Sequence, residues 1–153
     1  MEIRLTHHHG LGNEFLVVDT RQVVDGVALE QMSIDWVSAA ISWCDSSGGR
    51  GADGLLLLGG SGSNMTMRLI NADGSPAEMS GNGIRCLVQA GFMAENAEFP
   101  AVDVATDAGL ALGAWTEARW VGQHGFEEFD RLDLLALEID WFDRRHADVF
   151  QHT

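Results

Sequence analysis

Apolar and polar residues alternate at Ile3-Arg4-Leu5-Thr6 and again from Met65 through Met67 to Leu69, while Phe15-Leu16-Val17-Val18 and Leu55 to Leu58 are short unbroken apolar runs. Period-two alternation and brief apolar runs bounded by glycine or polar residues predict strands. Val102 and Val104 face one way in a further strand. Asp107-Ala108-Gly109 then turns, and Leu110-Ala111-Leu112 pairs back as a hairpin. Spacings of three and four appear twice. Ile34, Val37, Ile41 and Cys44 predict a helix capped by Ser33, and Ile84, Leu87, Val88, Gly91 and Phe92 predict a longer one starting near Gly81 or Asn82 and ended by Asn96 and Pro100. Ser75-Pro76-Ala77-Glu78 has the form of a capping box with proline at the first helical position, which predicts one helical turn before Ser80.

Glycine punctuates these elements until about residue 113 and then nearly vanishes, while Trp115, Trp120 and Trp141 enter among many acids. We therefore place a boundary near residue 114, with one domain over residues 1–113 and a divergent segment over 114–153. Phe129, Leu132, Leu135, Ala136, Ile139 and Phe142 would stripe a helix over 126–145. Such a stripe needs cover, and self-association through this segment is one way to supply it.

The net charge of −14 changes the picture by exclusion, because the nine basic residues are all arginine and form no basic stripe for a phosphate backbone. Nucleic acid is not an expected partner. No apolar run approaches the roughly 18 residues of a membrane span, and the start of the chain has no signal-peptide pattern, so a cytoplasmic protein is expected. Cys44, on the stripe of the first predicted helix, and Cys86, inside the second, read as core thiols, not as a disulfide framework. His7, His8 and His9 cannot all face one ion from a strand, so no metal is expected there and one or two of the imidazoles read as solvated.

The stretch from Asn71 to Cys86 joins a strand to the longer helix through small and polar residues. A helix N-terminus presents unpaired N–H groups and a partial positive charge, so Gly81-Asn82-Gly83 is suited to a carboxylate or phosphate. On spacing alone, a glycine turn entering an ordinary helix with Ser80 as its N-cap explains the same residues equally well.

His9-Gly10-Leu11-Gly12-Asn13-Glu14-Phe15, Gly51-Ala52-Asp53-Gly54 and Asn71-Ala72-Asp73-Gly74-Ser75 through Gly81-Asn82-Gly83-Ile84-Arg85-Cys86 resemble, in order, the N-terminal half of diaminopimelate epimerases. The resemblance covers residues 1 to about 113. It implies an α+β fold in which a curved, mostly antiparallel sheet wraps around a central helix, here the helix from Gly81. It also implies cofactor-independent chemistry between two such domains, with one cysteine removing the α-proton of 2,6-diaminopimelate and another delivering a proton to the opposite face. Carried over by position, Asn13 and Asn71 would bind the distal end of the substrate, and Gly81 and Asn82 would hold the α-carboxylate. Ser80 stands where the family places its first catalytic cysteine.

Three departures qualify that reading. A hydroxyl at position 80 is a far weaker acid than a thiol, and Cys86, six residues along a helix, would be turned about 240° away and displaced by roughly 9 Å. Ser46-Ser47-Gly48 follow Asp45 where the family has an arginine and an aromatic. Residues 114–153 do not read as the family's second domain, and a full member is about twice this length. The expectation is a truncated, catalytically impaired epimerase. The alternatives are a related dehydratase or racemase that uses serine, and a non-catalytic half-domain that binds ligand or a partner.

Overall fold

The computed structural model describes residues 1–10, 12–78, 80–96, 101–107, 109–116, 119–122 and 148–152. In chain order the strands are β1 (Ile3–Gly10), β2 (Asn13–Asp19), the short pair β3 (Val23–Val24) and β4 (Val27–Ala28), β5 (Gly54–Ser61), β6 (Asn64–Asn71), β7 (Pro76–Ala77), β8 (Ala101–Thr106), β9 (Gly109–Thr116), β10 (Arg119–Gly122) and β11 (Asp148–His152). Helix α1 (Trp36–Cys44) precedes β5, and α2 (Gly81–Glu95) follows β7.

Among the described residues the main sheet runs β10-β9-β8-β6-β5-β2-β1-β11, with β7 added beside β6. β2 pairs with β5, and β6 with β8, in parallel; the other ladders are antiparallel. β9 carries through residue 113, and β10 and β11 add strands at the two ends of the same sheet. The helix expected over 126–145 lies outside the described residues.

The central strands β2 and β5 are buried on both faces, which explains the unbroken run in β5. Leu56 and Leu58 turn to one side with Phe15, Val17, Met65, Met67 and Leu69 and pack on α2. Leu55 and Leu57 turn to the other with Leu16, Val18 and Ile70 and pack toward α1. Helix α2 is buried at every position from Gly83 to Phe92 and lies against β1, β2, β5 and β6, which makes it the central helix. A helix apolar on one stripe would be buried on that stripe alone; burial all round requires a sheet that curves about it. Asn96, at φ 50°, ends it as a left-handed C-cap.

Three local expectations are corrected. Helix α1 is capped by Asp35, whose carboxylate accepts from Ser38 N–H at 3.1 Å, and not by Ser33. Its buried face is Ala40, Trp43 and Cys44, with Trp36 set edge-on to Trp43 at 6.4 Å. The two indoles take the centre of the stripe, so Val37 and Ile41 fall on its flank, 41% and 47% exposed. The turn expected at Ser75–Glu78 is strand: Pro76 and Ala77 pair with Ile70 and Leu69. Ser75 is already committed backwards, its N–H and hydroxyl both bonded to the Asp73 carboxylate, so it caps nothing ahead of it. Of the three consecutive histidines, His8 is the buried one. Alternation along β1 points it inward at 1% exposure, where Nδ1 meets Gln89 Oε1 at 2.7 Å and Nε2 meets Thr6 Oγ1 at 2.8 Å. Burial, partly offset by the Gln89 hydrogen bond, lowers its pKa to about 4, so the ring is neutral at pH 7.

Candidate functional site

Strand direction gathers the sequence-predicted residues at one end of the sheet. β2 and β5 run parallel and β6 runs against them, so the start of β2, the start of β5 and the end of β6 share an edge. Phe15 is registered with Gly54, and Gly54 with Asn71. Asp53 stitches this edge: its N–H donates to Glu14 C=O at 2.8 Å, and its own C=O accepts from Ala72 N–H at 3.0 Å. A Cβ on Gly54 would stand 3.0 Å from both Ile70 C=O and Leu69 Cδ1, so only glycine lets these strand ends close up.

The N-terminus of α2 reaches this edge. Ser80 is extended (φ −144°, ψ 125°), and its Oγ accepts from Gly83 N–H at 3.0 Å. Its C=O receives Ile84 N–H at 2.8 Å. Ser80 is therefore the N-cap, and the donors left for a ligand at the helix end are those of Gly81 and Asn82. Gly83 must stay small, since a Cβ there would meet Ser80 Cβ at 3.1 Å and Oγ at 3.3 Å.

Asn82 and Asn13, 69 residues apart, are in direct contact: Asn82 Nδ2 donates to Asn13 Oδ1 at 2.8 Å. Asn13 Nδ2 lies 3.5 Å from Asp53 Oδ2, and the same oxygen accepts from Glu14 N–H at 2.8 Å. On the inner side, Arg85 Nη1 donates to Asn82 Oδ1 at 3.3 Å. Asn71 ends β6 in the neighbouring turn, where its Nδ2 donates to Ser75 Oγ at 3.1 Å. Asn13, Asn82 and the helix end thus meet; Asn71 stands beside them, engaged within its own turn.

The arrangement offers amide and backbone donors around a helix N-terminus, a seat for a carboxylate group. It offers no ready thiolate. Cys86 is fully buried and its pKa is pushed up to about 12 by that burial, against a smaller opposing effect of Arg85. Cys44 rises to about 11 through burial and the charge of Asp53. Both are buried core thiols, as the sequence reading expected. Sequence reasoning missed two participants, Asp53 and Arg85. Both lie inside the quoted motifs, but nothing in their spacing says that one anchors Asn13 and the other Asn82.

A cavity of about 560 Å³ opens at the other end of α2, lined in part by Arg4, Val17, Leu58, Ala90 and Met93. None of the residues above borders it. Asp45, ahead of the divergent Ser46-Ser47-Gly48, accepts from Ser47 N–H and Oγ at 3.1 and 2.8 Å, a local turn that replaces whatever longer side chains would hold there.

A family model described as diaminopimelate epimerase matches residues 5–122. Diaminopimelate epimerase from Nostoc punctiforme is 44% identical over 97 residues, 62% of this chain and 32% of that protein. The enzyme of the same name from Synechococcus elongatus is 38% identical over 119 residues, 76% of this chain and 40% of its own length. The chain thus spans between about a third and two fifths of these relatives. Among solved structures, a phenazine biosynthesis protein of the PhzF family from Enterococcus faecalis superposes with a TM-score of 0.57 at 10% identity, covering 78% of this chain and 43% of that one. A probable proline racemase from Agrobacterium radiobacter gives 0.51 at 18% identity, covering 74% and 37%. At such identities these two speak for the fold alone. Among the described residues no helix is long and apolar enough to cross a membrane.

Proposed function

Since the chain belongs to the diaminopimelate epimerase family, we propose that residues 1–113 form the substrate-binding half of a diaminopimelate epimerase site, with residues 114–153 a divergent segment. The α-carboxylate sits on the N–H groups of Gly81 and Asn82, and the distal amino-acid end lies toward Asn13 and Asn71. The observation that carries this reading is the direct contact of Asn82 with Asn13 at the head of α2. It supports the reading by bringing two amides together at the head of the helix. Removing the α-proton would build negative charge onto the carboxylate, where the same N–H groups stabilise it.

Proton transfer is the weak part. Ser80 holds the position of the family's first cysteine, but its oxygen accepts from Gly83 N–H and works as a cap. A serine hydroxyl stays protonated without an adjacent base, and epimerisation also takes a second acid on the opposite face of the α-carbon. The 153-residue chain by itself therefore binds the substrate and does not turn it over. As a soluble biosynthetic protein it would meet diaminopimelate in the cytoplasm.

Two measurements test this. In an ¹⁵N NMR titration with meso-diaminopimelate, the backbone signals of Gly81 and Asn82 and the side chain of Asn13 should move together; if shifts arise elsewhere or nowhere, the binding assignment is wrong. Incubation with the same compound in D₂O should leave the α-carbons unlabelled, and clear deuterium incorporation would overturn the account of Ser80.

A further inference from the structure

Arg85 heads the large fully buried side chains of the described residues, at 1% exposure. It is the fifth residue of a helix that begins at Gly81. Removing a guanidinium from water is costly, and the N-terminal part of a helix is the end where the dipole disfavours a cation. Methionine or leucine would fill the same core without either cost. The placement is therefore unfavourable as core packing alone, and one contact Arg85 makes, with Asn82, suggests a further role.

Arg85 Nη1 donates to Asn82 Oδ1 at 3.3 Å, and Asn82 Nδ2 donates to Asn13 Oδ1 at 2.8 Å. Asn13 Nδ2 in turn points at Asp53 Oδ2, 3.5 Å away. The chain has a cation at one end and an anion at the other, and this fixes the sense of both amides between them. Rotating the Asn82 amide by 180° would set its NH₂ against the guanidinium and its oxygen against the Asn13 oxygen. Two hydrogen bonds would become two repulsions. An asparagine without that constraint presents oxygen and nitrogen outward about equally, and a carboxylate meets a donor only part of the time.

We propose that Arg85 is the positioning residue of the carboxylate seat: from its buried place on α2 it holds the Asn82 carbonyl inward, so that the Asn82 NH₂ is the group presented to Asn13 and to an amino-acid carboxylate. This deepens, and for its ligand rests on, the reading of the site given above. Arg85 touches no substrate; it acts through Asn82.

The test is a double-mutant cycle on the full chain, with meso-diaminopimelate as the titrant and NMR shifts as the readout. Arg85→Met should weaken binding by about tenfold, and in an Asn82→Ala background the same change should weaken it by less than about twofold. Equal losses in the two backgrounds would mean that Arg85 acts on the fold at large, and would overturn the proposal. A second readout needs no ligand. The Asn82 side-chain NH₂ signals, assigned by their disappearance in Asn82→Ala, should move toward the positions of a free amide in Arg85→Met. Unchanged signals would also overturn it. Where Arg85→Met does not fold, Arg85→Lys keeps the charge, loses the rigid fork, and should show the same movement at reduced size. If the wild-type chain fails to bind diaminopimelate while the Asn82 signals still respond to Arg85, the ligand reading falls and the positioning role stands.

Discussion

Replacing Ser80 by cysteine puts an ionisable group at a helix N-cap whose geometry is known. The Gly83 N–H that now meets Ser80 Oγ at 3.0 Å would meet the sulfur, and a thiolate accepts such a bond more strongly than a thiol does. The helix end favours a nearby anion by about 1 kcal/mol, and the gain in hydrogen bonding on ionisation is about 1 kcal/mol more. Together these amount to roughly 2 kcal/mol, or about 1.5 pKa units, which brings a thiol of ordinary pKa about 8.5 to about 7. Position 80 is half-buried, and that burial works in the opposite direction, so about 7 is the lower bound of the expected range. The assay is the rate of iodoacetamide alkylation against pH. Cys44 and Cys86 are a silent background, since burial holds them at about 11 and about 12. The rate should rise through an inflection between about 7 and 8, and α-deuterium should enter diaminopimelate in D₂O where the parent chain gives none. Linkage supplies an independent check. A folded pKa below the unfolded one contributes stability that is fully present above about 8.5 and is lost as pH falls through the folded value. Ser80→Cys should therefore be further from wild type in urea at pH 6 than at pH 9. An alkylation inflection at or above about 8.5 would refute the reasoning, because the helix end would then exert no useful field at position 80.

Two further outcomes follow from the scaffold. His8, with its folded pKa at about 4 against 6.5 unfolded, makes the chain lose stability as pH falls from about 6.5 toward 4, since the unfolded state takes up the proton first. The loss amounts to at most about 3 kcal/mol, and His8→Gln should flatten the slope of urea stability against pH over that window; an unchanged slope would remove His8 as its cause. Gly74 has φ +86°, and a Cβ on it would lie 2.8 Å from Ile41 Cδ1 and 3.0 Å from Val37 Cγ1. Gly74→Ala should cost about 1–3 kcal/mol in urea unfolding, and adding Ile41→Ala should recover part of that by relieving the contact but not the backbone strain; no recovery would mean that backbone strain accounts for the whole cost.

Much of this fold is legible in the sequence because its strands alternate cleanly. Met65, Met67 and Leu69 face α2 as their spacing requires, and Val102 and Val104 lie buried on one side of β8. The start of α2 at Gly81 was equally plain, because a cap, two glycines and an apolar stripe all point to it. What periodicity could not supply was competition for side-chain atoms. Ser75 satisfies the capping pattern, yet Asp73 and Asn71 hold its hydroxyl first. Val37 and Ile41 satisfy the helical spacing, yet two tryptophans on the same helix fill the space facing the sheet. At the site, Asn13 and Asn82 were legible one by one through the family motifs. Their contact was not, because it depends on how α2 packs across β1 and β2, which brings residue 82 to the start of β2. Packing of that kind is set by the global fold and leaves no local mark.

The proposed site would separate two tasks at one helix end. Binding a carboxylate would use the N–H groups of Gly81 and Asn82 and the amides beyond them, none of which needs the side chain at position 80. Proton transfer would use position 80, where Ser80 Oγ now accepts from the N–H of Gly83. With cysteine there, substrate carboxylate and thiolate would be two anions drawn to the same few donors. Two unit charges about 5 Å apart repel by roughly 3 kcal/mol at an effective dielectric constant near 20, more than a helix end returns to either. A serine cap removes one of the two anions. Ser80 keeps the Gly83 N–H satisfied, and in the proposed site it would remove the base while leaving the carboxylate seat unopposed. Under that proposal, loss of turnover and retention of binding would both follow from the same oxygen atom.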